Sequence, residues 1–125
     1  MIIPCSPEML NYFEVQCAAD FDVPLHAFCA QQVLFYQGHR PYGFFILKSG
    51  QVEVYAVRQR RREYATAPVI LGLKPFLKQR PYSTTVTTIS RCEVYFVSQR
   101  LYTQCLEACP GFAAWLAGAR QLQQA

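Results

Sequence analysis

The first apolar spacing along the chain is helical. Leu10, Phe13 and Cys17 recur three and four residues apart, behind Ser6-Pro7-Glu8. Serine accepts backbone N–H groups at a helix start, proline fits the first helical position, and an acid suits the positive end of the dipole. The pattern predicts a helix that fades before Asp20, with Pro24 in an extended stretch beyond it. The period then falls to that of strands. Val33-Leu34-Phe35-Tyr36 closes on Gln37-Gly38, and the run from Tyr42 to Leu47 closes on Lys48-Ser49-Gly50. From Gln51 to Val57 the chain alternates, Val52, Val54 and Ala56 on one face and Glu53 and Tyr55 on the other. A charged run, Arg58 to Glu63, interrupts. Tyr64 to Leu71, Ser83 to Ile89 and Cys92 to Val97 then read as extended again. After Ser98, a candidate cap, the period is helical once more. Tyr102, Leu106 and Cys109 form one stripe, Pro110-Gly111 a break, and Phe112, Trp115, Leu116, Ala119 and Leu122 a second stripe.

Many short strands with turn residues at regular intervals, flanked by helices, predict a mainly β jelly roll of about seven or eight strands with helical ends. The 125 residues suit one domain, 1–125: a helix over 1–20, a β-roll over 21–97 and helices over 98–125. With 52% hydrophobic and only 16% charged residues, the chain has a core to bury and is not a disordered polymer. Its net charge of +4 is too small to argue for nucleic acid. No stretch is apolar for long enough to span a membrane, and the start lacks the features of a signal peptide, so the expectation is a cytoplasmic protein with reduced thiols.

The order of the turns resembles the cyclic-nucleotide-binding domain of the Crp/Fnr superfamily of bacterial regulators. The resemblance is carried by Val33 to Gly38, by Phe44 to Val54 with its Ser49-Gly50 turn, by Leu71-Gly72-Leu73 followed by Ser83 to Val86, and by Cys92 to Val97 before the segment Leu101 to Pro110. It implies a double-stranded β-helix and a non-enzymatic sensory role in signalling. In that family a loop and short helix, the phosphate-binding cassette, cradle a cyclic phosphate, with a glutamate toward the ribose and an arginine toward the phosphate. Gly72 matches the cassette glycine. Leu73 stands where the glutamate is expected, Tyr82 where the arginine is expected, and Ser83 matches a residue that can donate to phosphate. The resemblance therefore implies an altered pocket around Gly72, Leu73, Lys74, Arg80, Tyr82, Ser83 and Thr84, lacking two charged contacts. The expected ligand is a cyclic nucleotide or another phosphate-containing anion, and no further cofactor is called for. Lys74, Lys78 and Arg80 read either as replacement charge or as ordinary solvated surface.

Two other classes compete. One is a protein-interaction module that has lost its ligand, pairing with a partner or a second copy through apolar faces around Trp115. The other is a metal-dependent cupin-like enzyme, disfavoured by having only His26 and His39 and no His-x-His pair. Cys5, Cys17 and Cys29 are spaced too widely for an iron–sulfur cluster and read as buried small hydrophobes, while Cys105 and Cys109 share a helix face and read as core. Arg58, Arg60, Arg61 and Arg62 could touch nucleic acid or an anionic partner, but their position between strands favours a solvated hairpin tip. No helix-turn-helix follows the last stripe in this sequence, so the chain reads either as a stand-alone sensory domain, the favoured expectation, or as a fragment of a longer regulator.

Overall fold

The computed structural model describes residues 2–124, with side chains described through residue 118. Nine strands form two antiparallel sheets. In chain order they are β1 (Ile2–Pro4), β2 (Leu25–Phe28), β3 (Val33–Phe35), β4 (Gly43–Ser49), β5 (Gln51–Ala56), β6 (Arg61–Thr66), β7 (Val69–Leu71), β8 (Thr85–Thr88) and β9 (Cys92–Ser98). One sheet runs β1-β7-β4-β9-β2 and the other β3-β8-β5-β6. The helices are α1 (Pro7–Phe13), continued through a π-helical turn (Glu14–Ala18) into α2 (Ala19–Phe21), then α3 (Leu73–Lys78), α4 (Gln99–Ala108) and α5 (Phe112–Gln124).

The local signals explain most of these boundaries. Ser6 Oγ accepts the Met9 N–H at 3.1 Å and Ser98 Oγ the Leu101 N–H at 3.2 Å, so both serines cap. The first helix runs past the expected stop and ends after Phe21, where Asp22 turns left-handed at φ 50°. Val52, Val54 and Ala65 face inward, and the β5–β6 pairing sets Val54 opposite Glu63 and Ala56 opposite Arg61. The charged run is thus only partly a turn, because Arg61, Arg62 and Glu63 belong to β6. Cross-strand contacts hold them there: Arg62 Nη1 reaches Glu53 Oε1 at 2.7 Å and its guanidinium lies 4.5 Å from the Tyr55 ring centroid. The segment read as continuous from Tyr64 to Leu71 is two strands in different sheets, β6 and β7.

The five-stranded sheet is buried on both faces, which is why β4 reads as a nearly unbroken apolar run. Between the sheets lie Phe35, Leu47, Val52, Val54, Leu71, Tyr82, Val86 and Val94. On its other face Phe44, Ile46, Ile70, Leu73 and Val97 meet Phe13, Phe112 and Trp115 from the helices. Trp115 is therefore no exposed anchor: it is 7% exposed, and its Nε1–H donates to Met9 O at 2.8 Å. Cys105 of α4 and the residue that ends the helix, Cys109, are buried, with Tyr102 packed against the same core, whereas Leu106 is 40% exposed. Ala119 and Leu122, assigned to the last stripe, have side chains outside the described residues. Cys5 and Cys17 are buried as expected, but Cys29 is exposed.

Candidate functional site

A cavity of about 700 Å3 opens at one end of the four-stranded sheet. Its floor is Val54 and Ala56 of β5, and its β6 wall is Arg61 and Glu63, on the same inward-facing side as the buried Ala65. The β5–β6 turn adds Arg58 and Gln59. Across from them stand Gln37-Gly38 of the β3–β4 loop and the segment Pro81 to Thr84 leading into β8.

Hydrogen bonds fix these loops to one another. Gly38 N–H donates to Tyr82 O at 2.8 Å and Tyr82 N–H to His39 O at 3.0 Å. Gln37 ties two walls together: its N–H donates to Thr85 Oγ1 at 2.9 Å and its Oε1 accepts the Val57 N–H at 3.1 Å. Thr85 Oγ1 is thereby engaged, while its neighbours Ser83 and Thr84 line the cavity.

Of the seven residues singled out in the sequence, Tyr82, Ser83 and Thr84 line the cavity, and Gly72, Leu73, Lys74 and Arg80 lie outside its lining. Gly72 precedes α3 with φ 76°, and a Cβ there would sit 3.0 Å from the Tyr82 ring. Leu73 is 1% exposed and packs into the helix-side core. Lys74 and Arg80 are exposed to solvent. Tyr82 itself turns inward. Its ring stacks on Phe35 with centroids 4.0 Å apart, and its hydroxyl donates to Gly43 O at 3.1 Å. Burial pushes its phenol up from 10.0 to about 12, so it enters the site as a neutral aromatic wall. A folded-state value above the unfolded one gives stability that is whole below pH 10 and lost as the pH rises toward 12. Tyr82→Phe is expected to cost about 1 kcal/mol at neutral pH through the lost hydrogen bond. It should also flatten the loss of stability between pH 10 and 12, as followed by urea unfolding.

Gln37 and four residues of the β5–β6 hairpin, Arg58, Gln59, Arg61 and Glu63, are among the lining residues outside that set of seven. The signal was parity. Once β5 pairs with β6 in this register, the inward Ala56 and Val54 place Arg61 and Glu63 on the inner face. Arg61 Nη2 and Glu63 Oε1 are 2.8 Å apart. Arg58 takes part in no ion pair among the described residues. Those residues hold no group of three or more His, Cys, Asp or Glu side chains placed to bind a metal. The buried thiols Cys17 and Cys109 approach to 3.8 Å, with Cys105 beside them. Burial and the neighbouring sulfurs push Cys17 up, so it is held as a neutral thiol. Among the described residues no helix is long and apolar enough to cross a membrane.

A two-sheet roll with a short helix between β7 and β8, and a cavity lined by polar and apolar residues alike, is the architecture of a regulator-type domain. The chain belongs to the cyclic nucleotide-binding domain family, whose model matches residues 25–109. Among solved structures it is similar to the catabolite activator protein of Thermus thermophilus (17% identity, TM-score 0.71), covering 95% of this chain and 56% of that one. It is similar at 15% identity and TM-score 0.79 to a protein solved in work on a cyclic-GMP-dependent signalling pathway in bacterial phytopathogenesis, covering 98% of this chain and 94% of that one. The c-di-GMP responsive global regulator CLP of Xanthomonas campestris matches at 15% identity and TM-score 0.70, over 95% of this chain and 58% of the other. The chain thus spans a little over half the length of two of these relatives and nearly all of the third. No curated protein matches.

Proposed function

We propose that this chain is a non-enzymatic, Crp/Fnr-like sensory module whose cavity takes a cyclic nucleotide or another small phosphate-bearing anion in signalling. The observation that carries the reading is the composition of the cavity: Ser83 and Thr84 line it together with Arg58 and Arg61, around a space of about 700 Å3. That volume falls within the usual range for small-molecule sites. The apolar surfaces of Val54, Ala56, Pro81 and Tyr82 suit the flat body of a nucleobase or a similar ring.

The altered cassette sets the expected strength. A charged hydrogen-bond partner is worth about 1.5–3 kcal/mol, and neither Leu73 nor Tyr82 supplies one. Binding is therefore expected to be weaker than in a relative with both partners. A ligand that binds only the folded state stabilises it by about 2.7 kcal/mol at a hundred times its dissociation constant. Thermal melts with cyclic AMP, cyclic GMP and cyclic di-GMP up to millimolar concentration, followed by calorimetric titration of whichever raises the melting temperature, test the reading. A shift that saturates supports it. No shift and no heat with any of the three, or with pyrophosphate as a phosphate probe without a base, overturns it.

A further inference from the structure

The cassette no longer supplies a cation to the cavity, yet the cavity contains cations. At the position where an arginine is expected, Tyr82 is buried and bonded to Gly43 O. Leu73 is in the core, and neither Lys74 nor Arg80 is part of the lining. The two arginines among the lining residues, Arg58 and Arg61, come from the β5–β6 hairpin instead. Inward positions of a sheet in this kind of roll are ordinarily apolar, as Val52, Val54 and Ala65 are here. Beyond them on the same face, toward the open end of the cavity, β6 carries a charged pair, Arg61 with Glu63, whose side chains keep 71% and 43% of their surface exposed.

The hairpin is also held in place. Val57, the residue before Arg58, donates its N–H to Gln37 Oε1, and its carbonyl accepts the Arg60 N–H at 3.2 Å. The backbone that carries Arg58 is therefore tied to the opposite wall of the cavity. Arg61 is partly neutralised by Glu63 at 2.8 Å, and Arg58 is not paired in this way among the described residues.

Building on the reading that the cavity takes a phosphate-bearing anion, we propose that its cationic partner is Arg58 of the β5–β6 hairpin, with Arg61 in support, and not a residue of the cassette. Glu63 tunes the site by competing with the ligand for Arg61. Phosphate oxygens would meet the guanidinium of Arg58 on one side and the polar groups of Ser83 and Thr84 on the other, a charge-assisted arrangement with planar donors.

The test is calorimetric titration of the full chain with the tightest of cyclic AMP, cyclic GMP and cyclic di-GMP, and with pyrophosphate as a probe that carries charge without a base. Arg58→Ala is expected to weaken binding roughly tenfold or more. Arg58→Lys, which keeps the charge and loses the fork, should fall between. Glu63→Gln is expected to tighten binding by roughly twofold to fivefold, since it frees Arg61 from an exposed ion pair. That gain is a response that damage to the fold would not produce. Arg58 sits exposed on a turn, so thermal melts of the variants should match the parent protein. If the parent binds and both Arg58→Ala and Glu63→Gln bind unchanged, this proposal fails while the cavity reading stands. Loss of binding in Arg80→Ala or Lys74→Ala with Arg58→Ala unaffected returns the cation to the cassette and also overturns it. If no probe binds the parent, both readings fall together.

Discussion

Leu73→Glu, which restores the carboxylate that the family resemblance calls for, is expected to destabilise the fold by about 4 kcal/mol at neutral pH. Leu73 is 1% exposed, in the core that joins the five-stranded sheet to the helices. A glutamate there must either stay ionised without a partner or hold its proton well above the usual carboxylate range. The sign of the pH dependence follows. A carboxyl whose folded-state pKa is raised binds its proton more tightly in the native state, so the deficit is greatest at neutral pH and shrinks as the pH falls toward the ordinary carboxylate range. Urea unfolding at pH 7 and pH 5 measures both effects. Leu73→Met, which keeps the volume and adds no charge, should cost less than about 1.5 kcal/mol. A Leu73→Glu protein with parental stability at pH 7 would mean that this side chain can swing from the core to the cavity. The cassette would then be repairable rather than rebuilt.

That distinction separates what the sequence could show from what it could not. The strands β4 and β5 were legible because the apolar run of β4, the alternation of β5 and the Ser49-Gly50 turn are local signals. So were the capped helix starts at Ser6 and Ser98. β1 and β2 were not. β1 has three residues, and β2, Leu25 to Phe28, is exposed along most of its length and gains its conformation from pairing with Cys92 to Tyr95 of β9. At the site, the turn residues and the substitutions at positions 73 and 82 could be read by order along the chain. The direction each side chain takes depends on distant partners. Tyr82 is drawn inward by Phe35 and by the carbonyl of Gly43, neither of them near it in sequence. The arginines that read as a solvated tip face the cavity in part because β6 continues to Arg61, and that register is set across the hairpin rather than along it. Positions that pack or bind through non-local pairing were therefore seen as residue types without their roles.

The two turn glycines show the same limit within a single residue type, and they differ by a large expected effect. Gly38 and Gly50 both end strands before tight turns and look equivalent in the sequence, and both have positive φ, 89° and 98°. At Gly38 a Cβ would meet nothing within 4 Å. Gly38→Ala is then a purely conformational change, expected to cost about 1–2 kcal/mol. At Gly50 the turn between β4 and β5 rests on the start of β9. A Cβ would lie 2.4 Å from Arg91 O and 2.6 Å from Cys92 Sγ, against backbone and a buried thiol that have no room to yield. Strain and overpacking then add, and Gly50→Ala is expected to cost about 3 kcal/mol or more. The loss should appear in urea melts as a lower midpoint with an unchanged slope, because the turn joins both sheets and its failure is global. Equal effects at the two glycines would refute this account, since they would mean that the β4–β5 turn can lift off β9 without disturbing either sheet.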